Sequence, residues 1–303
     1  MKKIYFVNND YVNTRFDKWF KKNVSDVPQS LIEKNIRKGK IKINSLKIKS
    51  SYKLKKNDQI ALYNIHLSDK KNKTLKKKYI PTKKDLTSSS SIFIENNENF
   101  VVINKPAGLS VQGGTKTFKN LIDILKSSKE FEDNHPYVVH RIDKETTGVL
   151  IVAKNREYAK LFTSLFRIRK IHKTYLCIVL GSLDKNKGTF RDELFHYEGN
   201  KKIKTLAITH YNVIDSNNSY SLIKLNPQTG RKHQLRKQLL IRGCPVLGDT
   251  KYNLSTVYKK NMLMLHAYKI HFSIDGLKYN FCAEIPNNFK NTLKEKYLKI
   301  YQQ

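Results

Sequence analysis

The sequence His140-Arg141-Ile142-Asp143 runs through a short polar stretch to Thr146-Thr147-Gly148, and then into the uncharged run Val149-Leu150-Ile151-Val152-Ala153. Five consecutive residues without charge after a glycine-ended turn read as a strand buried on both faces. A carboxylate at the entrance to such a strand is held rigidly and partly out of water, and catalytic acids are commonly placed this way. The competing reading of Asp143 is an acid that only shapes its own turn. His233 lends itself to a zinc-ligand reading, but its polar neighbours are Arg231, Lys232 and Arg236. Cations at that spacing argue against a metal ion there.

The chain around these residues has 303 positions, which predicts about two domains. Its 59 Lys+Arg outnumber 25 Asp+Glu, giving a formal net charge of +34. That excess points to a polyanionic partner, nucleic acid or a membrane surface, although the abundance of Lys, Asn, Ile and Tyr attributes part of it to composition. Cys177, Cys244 and Cys282 are far apart and form no CxxC, which fits a reducing compartment and supports neither a disulfide framework nor a zinc site. No apolar run approaches the length of a spanning helix, and Met1-Lys2-Lys3-Ile4-Tyr5 soon meets Asn9 and Asp10 instead of a signal-peptide apolar region. A soluble, cytoplasmic protein is expected.

Three segments are predicted. Residues 14–62 read as a small unit. Thr14 is placed to cap a helix in which Phe16, Trp19 and Phe20 share a face. Ser30-Leu31-Ile32-Glu33 has the form of a capping box opening a second helix, with Lys34, Arg37 and Lys38 toward solvent and Gly39 at its end. Short strands follow at Ile41, Ile43 and Leu46, and from Asp58 to Leu62. Residues 63–90 read as a basic linker, carrying Lys70-Lys71-Asn72-Lys73, Lys76-Lys77-Lys78 and a serine run with no apolar period. Residues 91–303 form the larger unit. Two strands pair around Asn96-Asn97-Glu98-Asn99. A helix at 120–126, the Asp143 turn and its strand, and a helix at 157–167 follow. Strands at 173–179, 207–213 and 221–225 then lead to a helix at 231–240. Hairpins mixed with scattered helices indicate an α+β class with a largely antiparallel mixed sheet flanked by helices.

Two resemblances lie on these segments. Val27-Pro28-Gln29-Ser30-Leu31-Ile32 and Ile36-Arg37-Lys38-Gly39-Lys40-Ile41-Lys42-Ile43-Asn44 resemble the S4 RNA-binding domain. The resemblance covers about 50 residues and implies that Lys34, Arg37 and Lys38 touch RNA phosphates; otherwise they are a solvated helix face. Farther along come Asn104-Lys105-Pro106-Ala107-Gly108, Val111-Gln112-Gly113-Gly114, the Asp143 motif, Lys173-Thr174-Tyr175 and Thr229-Gly230-Arg231-Lys232-His233-Gln234-Leu235-Arg236. Gly248-Asp249-Thr250-Lys251-Tyr252 and Leu265-His266-Ala267 complete the series. In this order they are similar to the RluA family of pseudouridine synthases over essentially all of 92–290. With an S4-like unit in front, the chain resembles most the RluC type, which modifies large-subunit ribosomal RNA. Ile142, Thr147 and Lys232 stand where Leu, Ser and Thr or Ser are usual, and Lys232 is the least conservative of the three.

The resemblance implies an isomerisation. The N1–C1′ bond of uridine breaks, the base turns, and C5 is joined to C1′, so neither cofactor nor metal is expected. Asp143 must be ionised, whether it attacks the sugar or removes a sugar proton, and an ionised acid in a dry pocket needs a cation. The family implies that Arg236 supplies it; otherwise Arg236 is one more phosphate contact. The target base must leave its stack. Arg141 is implied to fill the gap, against the alternative of an ion pair with Glu145. Tyr175 is implied to lie against the flipped base with its hydroxyl near C5, against the alternative of an ordinary buried tyrosine. Arg231, Lys232, His140 and His233 are expected along the RNA path, and one chain is expected to act as a monomer. Two other functions remain open: a base glycosylase or nucleoside hydrolase, which needs a second acid such as Glu145, and a non-catalytic RNA-binding assembly factor.

Overall fold

The computed structural model describes residues 2–8, 11–65, 79, 81–82, 92–113, 119–132, 134–198, 201–253 and 262–300. The chain divides into two compact units, Met1–Lys78 and Tyr79–Gln303. Most of the linker expected at 63–90 lies outside the described residues, as does part of the loop from Val111 to Gly114.

In the first unit, helices α1 (Phe16–Asn23) and α2 (Gln29–Arg37) accompany an antiparallel sheet of order β1–β3–β2, formed by Lys2–Phe6, Gln59–Tyr63 and Ile41–Ile43. Phe16, Trp19 and Phe20 pack with Ile32 and Ile36 from α2 and with Ile41, Ile43 and Ile60 from the strands, all fully or nearly fully buried. The unit begins before residue 14, because β1 pairs with β3 from Lys2–Tyr63 to Phe6–Gln59. The two expected N-caps are not formed. Arg15 occupies the cap position of α1, and Pro28 that of α2, with no side-chain cap bond at either. Proline with its fixed φ starts α2 one residue before Ser30, so Glu33 turns to Gln29 and Ser50 instead of closing a capping box. The end of α2 follows expectation: Gly39 takes φ +68°, and the Gly39 and Lys40 amides donate to the carbonyls of Ile36 and Asn35.

The second unit is built on a sheet of ten strands in the described residues, with β4 (Phe93–Asn96), β5 (Phe100–Lys105), β7 (Thr147–Ala153), β12 (Leu265–Ile274), β8 (His172–Leu180), β11 (Tyr220–Pro227), β10 (Lys201–Ser216) and β9 (Lys187–Glu198) side by side. Strand β6 (Tyr137–Val138) adds to β7, and β13 (Leu277–Cys282) to β12. Every pairing is antiparallel except β7 with β12. The sheet is therefore mixed and the class α+β, as expected, while β6, β9, β12 and β13 lie outside the strands expected from the sequence.

Alternation places the site. On β5 and β7, Val102, Val149 and Ile151 face α4 (Arg156–Arg167) through Phe162. Val101, Ile103, Leu150 and Val152 face α3 (Leu121–Leu125). On β8, Leu176 and Ile178 face α6 (Asn287–Glu295), and Cys177 and Val179 face α5 (Gln234–Ile241). Tyr175 packs into both the α3-side and the α5-side cores, so it sits where these two clusters meet on one face of the sheet.

Candidate active site

Strand β7 is flanked differently along one edge. At its start Thr147 and Gly148 pair with His266 and Ala267 of β12, and at its end Val152 and Ala153 pair with β6. Between them the Ile151 amide donates to His140 Nε2 at 2.9 Å. The imidazole thus replaces a strand carbonyl, and its ring rests on Phe166 with centroids 4.5 Å apart. Burial, with Lys173 adding to it, pushes His140 down to about 3, so the ring is neutral and suited to accept. Gly148 takes φ +108° and lies against Ala267, whose carbonyl oxygen stands 2.1 Å from where a Cβ would be. Thr147 donates to Nδ1 of the buried His266 at 2.8 Å. These contacts anchor the strand that the Asp143 turn enters.

The turn itself closes through the Thr146 amide and the Asp143 carbonyl at 3.2 Å. It is also tied from below by Lys105, which is wholly buried at the end of β5. Lys105 Nζ donates to the carbonyls of Pro106, Leu109 and Lys144 at 2.7, 2.9 and 2.9 Å. Three acceptors match the three donors of an ammonium. Burial nonetheless lowers Lys105 to about 7, opposed by the pull of Glu145 and Asp143.

The Asp143 side chain is about a quarter exposed, and its two oxygens meet different groups. Oδ2 accepts from Arg236 Nη1 at 3.2 Å, while Oδ1 lies 3.8 Å from His233 Nε2. The principal anchor of Arg236 is Asp249: Nε and Nη2 donate to its two oxygens at 2.6 and 2.7 Å. The Asp249 side chain is fully buried and also accepts the amides of Lys251 and Tyr252 at 2.8 and 2.9 Å. Burial pushes Asp249 up, but the Arg236 bonds and those two amides outweigh it and hold the carboxyl below its ordinary value. Arg236 lies over the Tyr252 ring at 5.1 Å. Tyr175 faces the same carboxylate: burial, then the Asp143 charge, raise its phenol well above the usual range.

Helix α5, which carries Arg236, begins at Gln234, three residues later than the sequence reading has it, with His233 in the left-handed conformation at its cap. It is locked to the sheet by buried polar side chains. Gln234 donates to the Ile208 carbonyl and Thr209 hydroxyl, and Thr209 donates to Gln238, which donates to Asp192. Side-chain networks satisfied in this way fix an orientation more sharply than apolar contacts do.

The structure therefore brings together Asp143, Tyr175, Arg236 and His233. Lys232 and Arg231 are exposed beside them, the latter donating to the Leu206 carbonyl. Arg141 is exposed and has no hydrogen bond or ion pair among the described residues, while Glu145 pairs instead with Lys144 at 3.8 Å. His140 is turned into the protein as a support for β7. Lys34, Arg37 and Lys38 are exposed on α2 of the first unit. Sequence reasoning gave no role to Asp249, Lys105 or Tyr252. Its available signals were a lone acid after Val246-Leu247-Gly248 and a lysine ending an apolar strand, both of which point to buried, partnered charges.

Comparison with known proteins decides what this geometry belongs to. Residues 99–240 match the family model described as RNA pseudouridylate synthase. The ribosomal large subunit pseudouridine synthase C of Buchnera aphidicola is 33% identical over 308 residues, covering 96% of each chain. The chain belongs to the RNA pseudouridylate synthase family. The protein of the same name from Rickettsia conorii is 33% identical over 94% of this chain and 98% of its own. A solved human structure, RNA pseudouridylate synthase domain containing 4, superposes with a TM-score of 0.63 at 26% identity, over 72% of this chain and 97% of that one. This pseudouridine synthase is thus of the RluA family read from its motifs, and no helix among its described residues is long and apolar enough to cross a membrane.

Proposed function

We propose that this pseudouridine synthase isomerises uridine in large-subunit ribosomal RNA in the cytoplasm, with Asp143 as the ionised catalytic group. The observation that carries the assignment is the Asp143 carboxylate held by Arg236, which is itself fixed by the buried Asp249. A cation oriented before substrate arrives keeps the acid ionised and aimed, at no reorganisation cost during reaction. The substrate class follows the names of its ribosomal relatives.

The target uridine flips out of its stack, and Arg141, exposed on the same turn, fills the vacated space. Asp143 acts at the sugar as N1–C1′ breaks. The base turns, C5 bonds to C1′, the C5 proton leaves and N1 gains one, so substrate and product are isomers. Tyr175, half-buried and with its phenol raised by burial and then by the Asp143 charge, lies against the turning base. Its raised phenol stays protonated at neutral pH, which suits it to relay a proton rather than to act as a phenolate. The hydrolytic alternative needs a second acid that places water. Asp249 is that near neighbour, but it is fully buried and engaged by Arg236 and two amides, while Glu145 pairs with Lys144. The first unit, read as S4-like, adds affinity through the exposed Lys34, Arg37 and Lys38.

The test is Asp143→Asn with ribosomal RNA labelled with tritium at uridine C5. The variant is expected to fold and bind RNA normally and to release no tritium. Release above a few per cent of wild type would reduce Asp143 to a turn-former, since Asn shapes turns as well as Asp does.

A further inference from the structure

Arg236 restrains only one oxygen of Asp143. The other, Oδ1, faces His233 Nε2 at 3.8 Å. The far nitrogen of the same ring, Nδ1, is 2.9 Å from the Tyr252 hydroxyl, and the two rings stand edge to face at 74° with centroids 5.5 Å apart. His233 is held there by backbone as well, at φ +54° on the first position before α5. Few side chains adopt that conformation readily. The sequence reading placed His233 along the RNA path; the structure turns it to the carboxylate.

The electrostatics fix the direction of the bonds. Burial lowers the His233 ring below the ordinary histidine range; Asp143 pulls it up, and Arg236, Lys251 and Lys232 push it down. A neutral imidazole carries one N–H. Beside a carboxylate that proton belongs on Nε2, which leaves Nδ1 to accept from the Tyr252 hydroxyl. At 3.8 Å the Nε2 contact is charge to dipole and not yet a hydrogen bond. Contacts of this kind shorten when substrate closes a site.

We propose that His233, oriented by Tyr252, is a positioning residue that fixes the second oxygen of Asp143, so that Arg236 and His233 together set the carboxylate plane toward the sugar. This rests on the reading of Asp143 as the catalytic group. The chemistry then has a preferred oxygen: Oδ2 is committed to Arg236, and Oδ1 turns in a plane set by His233.

Two substitutions separate this role from a structural one. His233→Gln keeps an N–H near the place of Nε2 but suits a left-handed cap poorly. His233→Asn suits that backbone best of ordinary residues, keeps a partner for Tyr252, and has no donor that reaches Asp143. Positioning predicts that the Gln variant retains kcat within about threefold, whereas the Asn variant, though folded, loses at least tenfold in kcat with KM and RNA affinity little changed. Tyr252→Phe, which keeps its ring beneath Arg236, should lower kcat in the same direction and add little to His233→Asn. Asn equal to or better than Gln would make His233 a backbone device and overturn the proposal, as would full additivity with Tyr252→Phe. A raised KM at unchanged kcat in the Asn variant would make it an RNA contact, with the same consequence. Asp143→Asn assayed alongside distinguishes the two levels: if that variant stays active, the assignment of Asp143 fails, and if it is inactive while both His233 variants are normal, only the present inference does.

Discussion

Arg236 gives two nitrogens to Asp249, at 2.6 and 2.7 Å, and one to Asp143, at 3.2 Å. The shorter, bidentate pair lies deeper, since the Asp249 side chain is fully buried and the Asp143 side chain about a quarter exposed. Asp249 is therefore the fixed end of the arrangement, and Asp143 the end open to solvent.

Replacing Asp249 by Asn should accordingly damage turnover through Arg236. The guanidinium, only 8% exposed, would lose one of its two anionic partners. Breaking a buried pair costs about 3–5 kcal/mol, reduced here because Asp143 remains as a partner. The expected result is a lower melting temperature and, at a temperature where the variant is fully folded, a fall of ten- to a hundredfold in tritium release with RNA binding retained. Normal release by the folded variant would show that Arg236 needs no second carboxylate.

Gly148→Ala tests the anchoring of the turn that carries Asp143. A methyl group there would meet the Ala267 carbonyl oxygen and carbon at 2.1 and 2.7 Å, on a backbone at φ +108°. Both partners are strand backbone and cannot swing aside, so overpacking and backbone strain together should cost about 3 kcal/mol or more. Chemical denaturation measures this directly; a loss below about 1 kcal/mol would mean that β7 and β12 separate easily.

Acid should destabilise the fold through His140, half-buried, and His266, buried. Burial, aided by Lys173, holds His140 at about 3, and burial holds His266 at about 4. The unfolded chain takes up these protons near pH 6.5. Above that value both rings are neutral in both states and add no pH dependence. As pH falls from about 6.5 toward 4, the unfolded state binds more protons and stability declines, by up to ~1.4 kcal/mol per pH unit for each ring. His140→Gln keeps an acceptor for the Ile151 amide without titrating. Its denaturation free energy should fall less steeply between pH 6.5 and 4 than that of wild type, and parallel slopes would contradict a neutral His140.

Binding should depend steeply on salt. With a formal charge of +34 and roughly 5–10 phosphates contacted, affinity for ribosomal RNA should fall by orders of magnitude between about 50 and 200 mM salt. Replacing Lys34, Arg37 and Lys38 together by Ala should reduce the log–log slope by roughly 2, with turnover at saturating RNA unchanged. An unchanged slope would leave α2 as a solvated face.

Much of this molecule is legible in local pattern. The uncharged run after Gly148 determined a doubly buried strand, because alternate residues of β7 face α3 and α4 and both faces need apolar side chains. The glycine after α2 determined its end, because the left-handed cap is easiest without a Cβ. The ordered motifs determined the family and named Asp143, Tyr175 and Arg236 together. Helix starts were less legible: Pro28 and His233, not Ser30 and Arg231, decide where α2 and α5 begin. Only the tertiary structure decided the partners. Asp249 lies 13 residues from Arg236, Lys105 lies 39 from Lys144, and Thr147 lies 119 from His266. Which charge is buried against which is set by β12 entering between β7 and β8, an arrangement that no short window of sequence contains. The same insertion brings the Asp143 turn and the Tyr175 strand to one face of the sheet, where α5 supplies the cation and the histidine that complete the site.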